Sequence, residues 1–231
     1  MRSSMLQASA MQTVYLFRVK DPGSALTHFI GFIMALFAAF PLLIQGAAVH
    51  VNTVGMVSLS VFMLSMLMLY AASTIYHSFN ISGKANLILK KIDHMMIFVL
   101  IAGTYTPVCV LMLKSRTGLF MLAAVWVVAA AGIVLKALWV TCPKWFSSVI
   151  YIAMGWICLF AFPQILAALN TTQFLWLLAG GIMYTVGGVI YALKLPVFNE
   201  LHKNFGSHEI FHVFVMAGSF CHYVCVYLFL L

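Results

Sequence analysis

The chain has 231 residues, of which 65% are hydrophobic and 7% charged, with a formal net charge of +8 and a mean hydropathy of +1.09. Soluble domains carry roughly 25% charged residues, so the composition excludes a water-soluble fold and points to an all-α, polytopic membrane protein. The basic excess reads as membrane orientation and contact with anionic lipids, and not as a nucleic-acid surface.

In chain order, residues 1–24 are expected to form a short cytoplasmic tail. They hold no continuous apolar stretch of the kind a cleavable signal peptide needs. Residues 25–231 are expected to form one seven-helix transmembrane domain, with apolar runs at 25–49, 54–76, 92–113, 118–139, 146–169, 173–193 and 207–231. Each is near the roughly 20 residues that cross hydrocarbon. The runs are continuous rather than alternating, which favours helices over a barrel. Pro41, Pro107 and Pro163 fall inside spans and are expected to kink them. The segment Gly103-Thr104-Tyr105-Thr106-Pro107 reads as a packed proline kink or, alternatively, a cavity wall. Gly180-Gly181 and Gly187-Gly188 suit close helix packing, and several tryptophans lie near helix ends, where they anchor at the interface. Cys109, Cys142, Cys158, Cys221 and Cys225 form no C-x-x-C and read as small buried hydrophobes.

Charge orients the bundle. With the N-terminus inside, Arg2, Arg18, Lys20, Lys84, Lys90, Lys91, Lys136, Lys144, Lys194 and Lys203 are cytoplasmic, and only Lys114 and Arg116 are outside. That is ten of the twelve basic residues on one side, as the positive-inside rule requires for an N-in, C-out chain.

This orientation gathers four groups at one depth. His77 ends the second span, Asp93 opens the third, and His208 and His212 open the seventh as H-E-x-x-H. Residues four apart share a helix face, so His208 and His212 can reach one metal ion, and Ser73 lies one turn deeper than His77. Three neutral imidazoles and an open position are the inventory of a catalytic zinc site. Each residue also has a plainer reading. The histidines could be interfacial and hydrogen-bonded. Asp93 could be a helix N-terminal acid favoured by the macrodipole, or a partner of Lys91. Ser73 could bond its own helix. Glu209 could be a general base or an ordinary interfacial charge. His28 and His94 read as structural or supporting groups, and His222, about 15 Å beyond His212 by helical rise, is too distant to share its ion.

The segments DPGSALTHFIG from Asp21, STIYHSF from Ser73, KIDHMMIFVLIAGTYTP from Lys91 and HEIFHVFVMAGSFCHY from His208 occur in the order found in the bacterial hemolysin III family, within the progestin and adipoQ receptor superfamily. The chain resembles that family from Asp21 onward. The resemblance implies a plasma-membrane protein with a Zn2+ held by His77, His208 and His212, with Asp93 holding the metal-bound water and Ser73 beside them. Superfamily members of the adiponectin-receptor type look like lipid amide hydrolases. Two positions depart from pattern: Asp21 stands where bacterial members usually carry Glu, and Glu209 stands where the receptors carry Gln. Glu209 is therefore not a base common to the superfamily.

Three functions follow as expectations. The first is an intramembrane zinc-dependent hydrolase acting on a lipid amide or ester, with membrane lipids as its partners. The second is a receptor-like or regulatory protein whose zinc is structural. The third, a cytolysin or channel, has less behind it, because no span carries the polar run of a water-filled pore. Neither inverted repeats nor mid-membrane acids suggest a transporter. The ten-to-two basic asymmetry predicts that a reporter active only in the cytoplasm is silent when fused after Leu231; a strong signal there would remove the N-in, seven-span topology.

Overall fold

The computed structural model describes residues 19–193 and 205–231. Arg2, Arg18, Lys194, Lys203 and most of the 1–24 tail lie outside the described residues. Seven helices there are long and apolar enough to cross a membrane: α1 (Pro22–Ala48), α2 (Thr53–Ser78), α3 (Gly83–Leu113), α4 (Arg116–Leu138), α5 (Lys144–Ala168), α6 (Thr171–Leu193) and α7 (Ser207–Phe229). No strand occurs among the described residues.

Short polar caps set the helix starts. The Asn52 side chain accepts from the Gly55 N–H at 2.9 Å, the Ser82 hydroxyl from Ala85 N–H at 3.2 Å and the Ser115 hydroxyl from Gly118 N–H at 3.3 Å. Each satisfies one otherwise orphaned amide of a first turn. The Ser82 cap starts α3 well before the apolar run expected from residue 92, because a helix begins where its amides are capped and not where hydrophobicity rises. Asp93 therefore lies well inside α3, and the first turn of α3 holds no acid. The macrodipole falls off within one turn, which removes the N-terminal-acid reading of Asp93.

The helices pack in a ring in which each touches its sequence neighbour and α7 closes onto α1, with α3 the most buried. Leu42, Leu59, Phe62, Phe98, Val125 and Val226 centre the core, while Phe37, Phe120 and Phe160 point outward, as lipid-facing side chains do. The α6–α7 pair is the most extensive contact and depends on small residues. A Cβ on Gly218 would come within 3.1 Å of the Gly180 carbonyl, and one on Gly187 within 2.7 Å of Phe214 Cβ. Of the glycines expected to pack closely, Gly180, Gly187 and Gly188 do so, while a Cβ on Gly181 would meet nothing within 4 Å.

One proline expectation needs correction. α1 stays helical through Pro41, but Pro163 does not kink a continuous helix. Instead α5 breaks into Lys144–Gly155, a 3-10 turn at Ile157–Ala161 and a short helix Phe162–Ala168 with Pro163 in its first turn, where a missing N–H has no consequence. Pro107 marks the change of α3 from α-helix to a π-helical end, Val108–Leu113. The break in α5 exposes backbone groups where lipid offers no hydrogen bonds. Tyr105 answers them: its hydroxyl donates to the Gly155 carbonyl at 2.6 Å and accepts from the Cys158 N–H at 2.9 Å. Trp156 Nε1 also donates to Thr185 Oγ1 at 3.0 Å, so this tryptophan is an interior tie. Trp139 and Trp145, at the α4–α5 turn, are exposed, as interfacial anchors are.

All five cysteines are free. Cys142 does more than fill space: the buried Lys136 ammonium donates to Cys142 Sγ at 3.1 Å and to Ser147 Oγ at 2.5 Å. Lys91 does not pair with Asp93; its Nζ donates to the Ala137 carbonyl at the end of α4.

Tyr105→Phe should leave the Cys158 amide bare in an apolar interior, and the Gly155 carbonyl with only the weak donor Cys158 Sγ at 3.7 Å. At about 1–3 kcal/mol for each buried group left unpaired, purified variant protein is expected to unfold at clearly lower temperature than wild type. An unchanged transition would mean that another group closes the break.

Candidate metal centre

The chain preceding α1 crosses the end of α2. Lys20 N–H donates to the Ser78 carbonyl at 3.2 Å and Asp21 N–H to the His77 carbonyl at 2.8 Å, satisfying carbonyls that a helix terminus leaves open. Asp21 occupies the N-cap position of α1, yet its side chain makes no capping bond. Its carboxylate turns instead to His77, accepting from Nδ1–H at 2.9 Å. The same residue thus holds His77 by backbone and by side chain, and leaves the His77 Nε2 lone pair free.

His77 Nε2 lies 3.1 Å from His208 Nε2. Ring centroids are 4.9 Å apart for His77–His208, 5.4 Å for His77–His212 and 4.4 Å for His208–His212. One nitrogen from each of the three falls within 4.8 Å of the others. At zinc–nitrogen bonds of about 2.05 Å, tetrahedral ligands sit about 3.3 Å apart, so the His77–His208 pair is already at ligand spacing and the donor set fits zinc. The three residues expected from sequence as ligands are brought together, and they could form a metal site.

α1 also orients the third imidazole. Thr27 Oγ1 lies 3.0 and 2.9 Å from the Gly23 and Ser24 carbonyls; with its single proton given to either, its oxygen accepts N–H from His212 Nδ1, 3.1 Å away. His212 Nε2 is then unprotonated. A metal-ligating imidazole usually donates its second N–H to a carboxylate, a backbone carbonyl or water; Asp21 supplies the first kind of partner, and Thr27 offers a hydroxyl in the same place. His208 differs: its Nδ1 is buried with no partner. His28 stacks on His212 with centroids 3.6 Å apart, and both of its nitrogens are buried and unpartnered.

Glu209 points elsewhere. One carboxylate oxygen accepts from the Gly206 N–H at 2.8 Å and the other from the Ser24 hydroxyl. Gly206 has no side chain to reciprocate, so this is half of a capping box, and it docks the start of α7 on α1. Asp93 is buried, with Oδ2 3.1 Å from His94 Nδ1, a contact made without hydrogen-bond alignment. Ser73 is fully buried and its hydroxyl has no partner.

A cavity opens beside the histidines, lined mainly by α3, α5, α6 and α7, with His28 of α1 and Leu69 of α2. Asp93, His28, His208 and His212 line one end, and Val108, Ile165 and Phe174 the other. From Asp93 to Val108 is about 22 Å by helical rise. Between these ends the wall is mostly Leu, Ile, Val and aromatic side chains. Thr104 and Tyr105 line it, while Gly103 packs against Ser65 of α2, so the Gly103–Pro107 segment is in part cavity wall and in part packed helix. Ser73 does not line the cavity. Ser148 does, and its buried hydroxyl is also unpartnered.

The family profile described as "Haemolysin-III related" matches residues 17–223. The chain belongs to the haemolysin-III family. It is 38% identical over 212 residues to a protein called "Hemolysin-3 homolog" in Bacillus subtilis (strain 168), covering 91% of this chain and 95% of that one. It is 34% identical over 212 residues to "Hemolysin-3" of Bacillus cereus, covering 92% of each. A shorter stretch of 79 residues is 33% identical to "ADIPOR-like receptor IZH2" of Saccharomyces cerevisiae, covering 33% of this chain and 24% of that protein, in keeping with the wider progestin and adipoQ receptor superfamily. With seven apolar spans, this haemolysin-III protein is a multi-pass bacterial membrane protein.

Asp21, Ser24 and Thr27 stand in the first motif with no role evident from sequence, and Ser148 carries no motif. The available signal was the grouping of an acid, two hydroxyls and a histidine within one short segment opening an otherwise apolar helix. Purified wild-type protein is expected to carry about one zinc per chain, lost in His208→Ala and His212→Ala and kept in His222→Ala. Asp21→Ala should weaken zinc binding roughly 10–100-fold, the scale for losing a ligand's supporting partner. Metal analysis with competing chelators reads both effects, and wild-type protein free of metal after chelator-free purification would remove the site.

Proposed function

We propose that this protein is a membrane-embedded hydrolase that cleaves an amide or ester bond of a lipid, using zinc held by His77, His208 and His212. The observation carrying this reading is that His208 and His212, clustered with His77, line a long apolar cavity whose wall also holds the buried Asp93 carboxylate. Asp93, His28 and His94 line the same cavity as His208 and His212, and of these Asp93 is the carboxylate, the group suited to taking a proton from water.

Zinc in this position would polarise a scissile carbonyl and acidify a water. The chain's own groups supply the rest. The apolar walls take the acyl chain and exclude bulk water, which fixes the carbonyl at the histidine end. Asp93 orients the attacking water and takes its proton as the oxygen adds to the carbonyl carbon. It returns that proton to the departing nitrogen or oxygen as the carbon–nitrogen or carbon–oxygen bond breaks, giving a free fatty acid and an amine or alcohol. Ser148, which lines the cavity, is better placed than Ser73 to donate to the developing oxyanion. Glu209, held by Ser24 and Gly206, is a docking group in this reading.

A second reading, zinc as a staple between α2 and α7, is favoured by the burial of His77 and His212 and by the support both receive from α1. Enzyme assay separates the two. Asp93→Asn should retain zinc and lower turnover by roughly 10²-fold, the scale of losing a general base. Glu209→Gln should lose thermal stability more than rate, since it weakens the α1–α7 contact. If zinc-loaded wild-type protein cleaves no member of a broad panel of lipid amides and esters, the staple reading replaces the hydrolase; a larger rate defect in Glu209→Gln than in Asp93→Asn would make Glu209 the base.

A further inference from the structure

We propose that His222 forms a second polar subsite inside the cavity, binding a hydroxyl carried partway along a lipid's hydrocarbon chain. This rests on the reading of the cavity as an acyl-chain site. His222 lies ten residues beyond His212 on α7, about 15 Å along the axis, and lines the same cavity as His208 and His212. It is buried, and its Nδ1 has no hydrogen-bond partner.

The surroundings make room for this imidazole and leave it unsatisfied. It lies over Gly180, where an added Cβ would come within 2.6 Å of Nε2, and against the Tyr184 ring at 5.2 Å. The nearby hydroxyls have other partners. Tyr184 pairs with Ser219 at 2.9 Å, Ser219 also accepts from Tyr70 at 2.8 Å, and Thr104 donates to the Leu100 carbonyl at 2.8 Å. A leucine would fill the same place without an unpaired polar atom, whose burial is costly. The cavity around it is closed by apolar residues such as Ile101, Leu177 and Val215.

A ligand hydroxyl fits this environment better than other polar groups. It donates to a bare ring nitrogen or accepts from a ring N–H, so it serves either tautomer. A carbonyl serves only the N–H, and an ionised group is excluded by the apolar wall. An extended hydrocarbon chain advances roughly 1.25 Å per bond at ordinary bond lengths and angles. The separation of about 15 Å therefore places the hydroxyl about twelve bonds from a carbonyl held at the histidine cluster.

Competition binding tests this on the intact, purified protein. Stearate, 12-hydroxystearate and 7-hydroxystearate are offered together, and the bound species are read by native mass spectrometry. Wild-type protein should favour 12-hydroxystearate over both others by roughly fivefold, the increment of one buried hydrogen bond. His222→Leu should still bind stearate and lose that preference. Equal binding of the three acids, no binding of any, or an unchanged preference in a folded His222→Leu protein would overturn the subsite. If the variant does not fold, the contrast between the two hydroxylated isomers on wild-type protein decides alone. Binding requires no turnover, so a protein that prefers the 12-hydroxy chain but cleaves no lipid keeps this subsite and loses the hydrolase. One that cleaves lipids without the preference loses only the subsite.

Discussion

The bond from His77 Nδ1 to the Asp21 carboxylate, 2.9 Å long, is the constraint on which the candidate metal centre depends. An imidazole in a membrane interior has two nitrogens, no water to satisfy them and a ring free to turn. Asp21 removes all three uncertainties for His77. It fixes the tautomer, the ring plane and, through its own amide on the His77 carbonyl, the position of the last turn of α2. Thr27 fixes the tautomer of His212 from the same helix. α1 contributes no ligand to the trio, yet it decides which nitrogen two of the ligands present.

The same rule, that polar groups in hydrocarbon must find partners inside the protein, governs the middle of the bundle. α5 breaks into three pieces without leaving its backbone bare, because one phenol serves both sides of the break. Tyr105 comes from α3, so the central helix holds the broken one open beside the cavity. The residues that remain unpartnered, His28, Ser73, Ser148, His208 and His222 among them, fall mostly along the cavity or at the histidine cluster. Unsatisfied polarity is thus concentrated on residues that line the cavity or belong to the histidine cluster.

The parts of this architecture that are readable from sequence depend on one helix at a time. Seven apolar runs announce seven helices, and H-x3-H announces a shared face. The alignment of His77, Asp93 and His208 at one depth follows from counting along spans. Contacts between helices are not readable in that way. Asp21 looks like an ordinary helix cap until α1 is seen against the end of α2. Glu209 looks like a zincin base until Ser24 and the Gly206 amide are seen on its carboxylate. Tyr105 and the break in α5 are linked only through packing, and hydropathy places the start of α3 late because capped polar turns carry no apolar signal.

The ligand trio has a consequence for how the protein matures. His77 closes the second helix, while His208 and His212 open the last, so the cluster is divided between early and late parts of the chain. During synthesis the first two helices can settle with the Asp21–His77 bond in place, but the cluster is incomplete until α7 has inserted and docked. A cation bound by these three residues would therefore be captured only by a finished bundle. Occupancy of the cluster would mark chains that have completed insertion, and a chain cut short before its final helix would carry the supporting carboxylate with nothing to support.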